Sequence, residues 1–418
     1  MNHSVTDLLI VGCGVSGASA ALAAARKAVA VKIMEEHPQV GLPSHCSGHV
    51  GITGFKRFGP NLPPGIIENK IKGAILTAPN GKSLTLSRST PVTWVLDRGA
   101  FDQHLASLAV KEGADLHLNS RVDSVQRSER MFRVKLSSQK ESLELYCKVL
   151  IDAGGCAAPA SRYVGVSNPN RRRLVNSAQC NFDNISDIDP DFVEVYYGQK
   201  YAPGFFGWII PRRDGSAKVG LAAGARTNVQ AHFERFLHKH PIVSTKLKNA
   251  RRLSKTLYHP IPVSGARNKT YADGFMSVGD AASQVKPTTG GGIVFGLACG
   301  QIAGETAATA ICEENYSSSK MKLYEDTWRR IIGFDLNAMS YLRRLLYRIP
   351  DQYLDKLFDI SNELKIEEIL SKTSDIDFQG RTLLKLARDP RLFLTLASMS
   401  VISIPSLVRK EPESFQSR

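Results

Sequence analysis

The stretch Asp7-Leu8-Leu9-Ile10-Val11-Gly12-Cys13-Gly14-Val15-Ser16-Gly17 decides the fold. An apolar strand runs into Gly-x-Gly-x-x-Gly, and an Ala-rich helix follows through Ala25. A second strand is predicted from Val29 to Met34, closed by Glu35. Gly12 permits a tight turn, Gly14 lets a pyrophosphate approach the backbone, and Gly17 lets the helix pack on the strand. Glu35 stands where an acid accepts from a ribose 2′-OH. A lone glycine run is a weak signal. Strand, helix, second strand and acid in sequence make it a dinucleotide site.

A matching half lies far downstream. The segment Gly274 to Val278 is apolar and runs into Gly279-Asp280, then a Pro-Thr-Thr turn, Gly290-Gly291-Gly292 and a long Ala/Gly-rich helical run from Ile293. The Asp280 carboxylate suits ribityl hydroxyls, and bare N–H groups at a helix start suit an electron-rich acceptor. Two half-sites this far apart in sequence point to FAD, which is long enough to span them.

At 418 residues the chain exceeds one typical domain, and its 43% hydrophobic content supports a sizeable core. No run of 18 apolar residues occurs, so a spanning helix is not expected. The N-terminus lacks the basic start of a signal peptide. Seven scattered cysteines without a Cys-x-x-Cys pair suggest a reduced, cytoplasmic protein. The net charge of +15 gathers at Arg171–Arg173, Lys246–Lys255 and Arg343, Arg344 and Arg348. No nucleic-acid motif accompanies these clusters. An anionic membrane surface or a phosphorylated substrate is the expected partner, which would make the protein peripherally membrane-associated.

The order of elements is interrupted. Short strands with an Asn80-Gly81 hairpin turn fill 70–96, and a helix starts near Asp97. Strands follow at Val122–Val125, Phe132–Leu136 and Leu143–Ile151, the last ending in Asp152-Ala153-Gly154-Gly155. Residues 175–265 are strand-rich, and the chain is mostly helical from 293. The expected fold is mixed α/β. A Rossmann-like FAD-binding domain (1–60, 97–165 and 270–330) carries an inserted β-sheet substrate domain (61–96 and 166–269) and a helical C-terminal region (331–418). The apolar run 383–408 is expected to close a tunnel, lie on a membrane or cover the core.

Three further motifs carry a resemblance. Pro43-Ser44-His45-Cys46-Ser47-Gly48 is similar to a Pro-x-x-Cys-x-Gly loop. Phe206-Gly207-Trp208-Ile209-Ile210-Pro211 is similar to an aromatic-x-Trp-x-x-Pro motif, and Val285 to Ile293 matches a signature run nearly letter for letter. Together they resemble the geranylgeranyl reductase family of flavoproteins, within the para-hydroxybenzoate-hydroxylase-like group and nearest to its archaeal digeranylgeranylglycerophospholipid reductases. Phe206, Ile210 and Ser47 depart from the residues common there, which bears on substrate fit and not on the flavin.

The resemblance implies FAD contacts at Ser16, Glu35, Cys46, Ser47, His49, Arg98, Val122, Asp280, Gly291, Gly292 and Ile293, besides the fingerprint glycines. It implies substrate contacts at Phe206, Trp208 and Pro211. Arg98 suits a phosphate or ribityl oxygen. Gly292 and Ile293 suit the flavin pyrimidine edge. The implied reaction saturates isolated prenyl double bonds, with hydride from flavin N5 and a proton to the other carbon. This asks for an apolar tunnel and an acid near the ring. Cys46 is the implied catalytic residue, although a free thiol is a weak acid for an alkene. It would position the flavin, tune it or serve a redox role. The electron donor would be NADPH or a ferredoxin, since no second complete glycine fingerprint is present. His45, Cys46 and His49 offer three side chains and no fourth at zinc spacing, so no metal is expected. Two other readings stand: a flavin monooxygenase that hydroxylates or halogenates, and a non-catalytic basic protein with vestigial flavin loops.

Overall fold

The computed structural model describes residues 4–380 apart from 129–130, 139–140, 167–168, 170–172, 266, 347–348 and 373–375, together with residue 390. The run 383–408 and two of the three arginines at 171–173 therefore lie outside the described residues, apart from Pro390.

Within strand β1 (Ser4–Val11), Leu8 to Val11 are apolar on both faces because both are covered. It lies between Glu141–Asp152 and β2 (Val31–Met34), parallel to each. The sheet continues through Phe275–Ser277 on one side and Asp115–His117 on the other, again parallel. Tyr271–Ala272 adds an antiparallel edge, and Met131–Ser138 and Ser120–Ser128 fold back antiparallel from Glu141–Asp152. Register aligns the strand ends: Val11 pairs with both Asp152 and Met34, and Asp152 pairs with Ser277. The turns that follow these strands, at Gly12, Ala153, Glu35 and Val278, therefore leave one edge of the sheet together. Open parallel sheets bind ligands at such a carboxyl edge.

β2 starts at Val31 rather than Val29, because the chain turns at Ala28, whose φ is +57°. Ala30 gives only its carbonyl, to the Leu8 N–H at 3.0 Å.

A second eight-stranded sheet holds Arg251–Arg252, Leu174–Asp183, Ala217–Gly224, Phe206–Pro211, Phe192–Tyr197, Gly73–Thr77 and Ser83–Ser87 in that order, with Leu257–Pro262 also on Leu174–Asp183. The Asn80-Gly81 hairpin joins its last two strands, with Gly81 at φ +88°. The remaining strands of the 61–96 segment, Ile67–Ile71 and Thr93–Leu96, instead form a small sheet with His49–Gly51. Helix Val229–Lys239 covers one face of the second sheet, seating Phe233, Phe236 and Leu237 against Ile209, Val219 and Leu221. The two-residue alternation turns Phe206, Trp208 and Ile210 to the other face.

Helix α1 (Val15–Ala25) packs on the long helix Ile293–Cys312 closely enough for backbones to touch. A methyl added at Gly300 would overlap the Ser16 carbonyl, and one at Gly304 would overlap the Ala20 carbonyl. Ser19 Oγ donates to the Leu297 carbonyl across this seam at 2.9 Å. The long helix is apolar enough to cross a membrane by length and composition, but 78% of it is buried inside the protein. Further helices follow at Ser318–Trp328, Phe334–Leu346, Asp351–Glu363 and Ile366–Lys372.

Asp152 fixes the turn at the centre of the carboxyl edge. Its fully buried carboxylate accepts from Gly154 N (3.1 Å), Ala160 N (3.0 Å), Ser161 N (2.7 Å) and Ser161 Oγ (2.8 Å). Asp152→Ala leaves those donors without an acceptor. It is expected to lower unfolding stability by about 2–4 kcal/mol in urea titration. An unchanged midpoint would show that the turn does not depend on the carboxylate.

Candidate active site

The glycine loop after β1 builds the first half-site. Gly12 sits at φ +89°, and a side chain there would press on the Ala153 carbonyl at 2.7 Å. Gly14 caps α1 with no side chain, and nothing lies within 4 Å of where its Cβ would be. That open helix N-terminus is a cradle for a phosphate. Gly17 has the opposite reason to be bare, since a Cβ would overlap the Gly12 carbonyl. Glu35, 8% exposed, accepts from Cys13 N at 2.8 Å and His37 N at 3.0 Å, with His37 Nδ1 at 2.6 Å. Main-chain bonds thus aim its carboxylate beside the loop. Val122 is buried in the core cluster that also holds Val11 and Met34, beneath the strand ends.

The second half-site meets the first at Ser16. A side chain at Gly279 would collide with Ser16 Oγ, so the turn bearing Asp280 lies directly on the loop opening α1. Asp280 Oδ1 would be 3.3 Å from a Cβ at Gly292, the residue that caps the Ile293–Cys312 helix. Burial pushes the Asp280 carboxyl up to about 6, opposed by the charge of Arg98. Gly291 is hemmed by Lys286, whose Cε would stand 2.6 Å from an added Cβ. Lys286 Nζ in turn holds Asp377 Oδ1 at 2.8 Å, and Thr288 Oγ1 donates to Gln379 Oε1 at 2.6 Å. The C-terminal region thus clasps the Pro-Thr-Thr-Gly loop.

The cysteine loop reaches the same place. Cys46 lies within hydrogen-bonding reach of Arg98 and accepts from Gly48 N at 3.5 Å. Arg98 opens helix Arg98–Lys111 and makes a two-pronged bond to Asp102, with Nη2 at 2.8 Å from Oδ2. Ser47 Oγ accepts from His49 N at 3.4 Å, and the His49 ring meets Thr93 Oγ1 at 2.7 Å. His45 stacks on His259 of the second sheet, centroids 3.6 Å apart. Among the described residues, Cys156, His259 and Asp280 form a group whose possible ligand atoms lie within 4.8 Å of one another. Cys156 Sγ donates to the Pro260 carbonyl at 3.1 Å.

Phe206 and Trp208 stand together on the face of the second sheet turned away from helix Val229–Lys239, in edge-to-face contact at 6.1 Å. Trp208 Nε1 donates to Gln179 Oε1 at 3.1 Å. Pro211 points to neither; its carbonyl accepts from buried Asn69 at 3.0 Å.

Sequence reasoning did not find Asp102, His259, Cys156 or the Lys286–Asp377 pair. Asp102 had a signal in its four-residue offset from Arg98 on a helix. The others come together only through long-range packing. Several clustered cations prove to be engaged already. Lys246 bonds Glu194 at 2.8 Å, Arg251 bonds Asp183, and Arg343 donates to the carbonyls of Pro287 and Gly204.

The open α1 terminus, the aimed Glu35 and the half-buried Asp280 fit FAD, and the glycine loops leave the backbone free to receive it. Fold and site define an FAD-dependent oxidoreductase. Residues 7–167 match the FAD dependent oxidoreductase family, and residues 175–255 match the geranylgeranyl reductase catalytic domain. A digeranylgeranylglycerophospholipid reductase of Methanocaldococcus jannaschii is 30% identical over 86% of this chain and 92% of its own length. A similarly named protein of Methanosphaera stadtmanae is 30% identical over 87% and 90%. The crystal structure of a geranylgeranyl bacteriochlorophyll reductase-like protein from Thermoplasma acidophilum is 26% identical, covers 96% of this chain and all of its own (100%), and superposes with a TM-score of 0.84. The chain belongs to the geranylgeranyl reductase family. A flavin-dependent brominase at 16% identity and TM-score 0.69 shares the fold alone.

The site carries a pH signature. Burial first, then neighbouring cations, hold His45 at about 4 and His49 at about 4. Burial and then His45 hold His259 at about 3. Unfolded imidazoles titrate near 6.5, so between those values the unfolded chain binds protons that the folded chain refuses. Their contribution is fully present above that range and is lost as pH falls. Asp280, with its folded value raised, works in the opposite sense. The urea midpoint of the apoprotein is expected to fall between about pH 7 and pH 5, with a shallower fall in His259→Gln. Equal slopes in the two proteins would show that His259 is not held neutral.

Proposed function

We propose that the protein is an FAD-dependent reductase that saturates the isolated double bonds of geranylgeranyl chains in membrane lipid precursors of the digeranylgeranylglycerophospholipid type. What supports this reading is the set of contacts that joins its parts: Gly279 lies on Ser16, His45 of the Cys46 loop stacks on His259, and Phe205, stacked on Phe206, lies against Gly290. Bound FAD, once reduced, supplies hydride at N5. The other alkene carbon takes a proton, drawn ultimately from water, and holding the reactants in place falls to the chain. Glu35 and the Gly14 terminus hold the nucleotide end, and Asp280 accepts from the ribityl chain. The N–H groups at Gly292 and Ile293 favour negative charge on the ring. Phe206 and Trp208 supply an apolar wall that excludes water from an alkene with no carbonyl to polarise. Cys46, beside the buried Arg98–Asp102 pair, faces the reacting region.

The electrons come from an external donor, NADPH or a ferredoxin. The net charge of +15 supports work at an anionic membrane surface in the cytoplasm, where the lipid substrate resides. The monooxygenase reading is less favoured, because the halogenase-type likeness extends to fold only.

The test is product analysis under anaerobic conditions with chemically reduced enzyme and digeranylgeranylglycerophospholipid. Mass spectrometry is expected to show hydrogen added pairwise to the prenyl chains. Cys46→Ser should keep FAD and slow this reaction by about tenfold or more. In a parallel aerobic assay, oxygen consumption with hydroxylated or halogenated aromatic product, and no lipid change, would select the other reading.

A further inference from the structure

We infer that Lys218 is the positioning residue of the Cys46 loop, an assignment that rests on the proposed reaction only for its effect on turnover. Strand Ala217–Gly224 is buried at every position. Val219 and Leu221 pack beneath helix Val229–Lys239. Alternation turns Lys218 to the opposite face, in register with Ile210 and Asn181. Its side chain is 4% exposed. A lone ammonium so placed costs several kcal/mol unless it is fully bonded.

It is fully bonded, and its partners show what it does. Nζ donates to Glu68 Oε2 at 2.7 Å, to the Ser47 carbonyl at 2.9 Å and to the Leu96 carbonyl at 3.1 Å. Those are all three donors of an ammonium. Ser47 directly follows Cys46. Leu96 N donates to the Gly48 carbonyl at 3.0 Å, so Leu96 is tied to the loop as well. A single cation from the second sheet thus holds both the residue after Cys46 and the strand end to which the loop is bonded.

Glu68 balances Lys218 incompletely, because the same oxygen also faces Arg212 Nε at 3.3 Å. An apolar side chain of equal length would fill the space but leave the Ser47 and Leu96 carbonyls without this donor. The lysine is therefore explained by where it holds the loop rather than by packing. Burial lowers the Lys218 pKa, while Glu68 holds it up.

The experiment is hydrogen exchange with mass spectrometry on the FAD-loaded enzyme, comparing wild type with Lys218→Met. Removing one partner of a buried pair can unfold a protein. The charge-balanced Lys218→Met/Glu68→Gln variant is therefore measured beside it. In either folded variant the loop peptide 42–50 is expected to exchange about tenfold faster, while α1 at 15–25 is unchanged. The kcat for prenyl reduction is expected to fall by about 10- to 100-fold with KM near wild type. Unchanged exchange at 42–50, or an equal rise throughout the chain, overturns the inference. Faster loop exchange with undiminished turnover supports the positioning role and places the error in the part given to the loop in the reaction.

Discussion

Everything at the site depends on two helices touching through bare backbone. α1 and Ile293–Cys312 come from opposite ends of the nucleotide-binding sequence, and each must present its N-terminus to one ligand. Side chains larger than hydrogen at Gly300 or Gly304 would hold them apart, as the overlaps with the Ser16 and Ala20 carbonyls show. Close packing of this kind transmits strain rather than absorbing it. The seam therefore fixes the spacing between the Gly14 cradle and the Gly292 cap, and with it where Asp280 sits relative to Ser16. Dispersion across the seam contributes stability, but its larger consequence is geometric.

The second constraint is electrostatic. The edge where the sheets meet contains Arg98, Lys218, Lys286, Asp102, Glu68, Asp280 and Asp377, most of them withdrawn from water. Buried charges persist when paired and hydrogen-bonded. Here Arg98 has Asp102, Lys286 has Asp377 and Lys218 has Glu68. The pairs join segments distant in sequence, so the same bonds that offset desolvation also tie together the flavin loops, the second sheet and the C-terminal region. Among the described residues Asp280 has no such partner, and burial raises its carboxyl despite the charge of Arg98.

The nucleotide-binding half of the fold was legible in the sequence because its signals are local. A strand, three glycines and an acid follow one another from Asp7 to Glu35, and the Pro-Thr-Thr-Gly run stands directly before its helix. The hairpin at Asn80-Gly81 was legible for the same reason. The splitting of 61–96 between two sheets was not, since either pairing satisfies the same alternation. The stacking of His45 on His259 and the meeting of Cys156 with Asp280 could not be read locally, because tertiary packing alone brings those segments together. Arg98 was read as suited to a phosphate or ribityl oxygen; its guanidinium is also held by Asp102, a partner signalled by the four-residue offset within the helix. That Lys246, Arg251 and Arg252 of the basic run 246–255 also face Glu194, Asp183 and Glu234 could not be read locally either.

The account turns on the seam setting the flavin site, and the most direct measurement is the FAD dissociation constant of Gly300→Ala. No residue proposed to touch the cofactor is altered in this variant. Overpacking of about 1–3 kcal/mol at the helix contact should displace one N-terminus from the other, raising the constant by about tenfold or more while the circular dichroism of the fold is retained. A folded Gly300→Ala protein that binds FAD as tightly as wild type would contradict it.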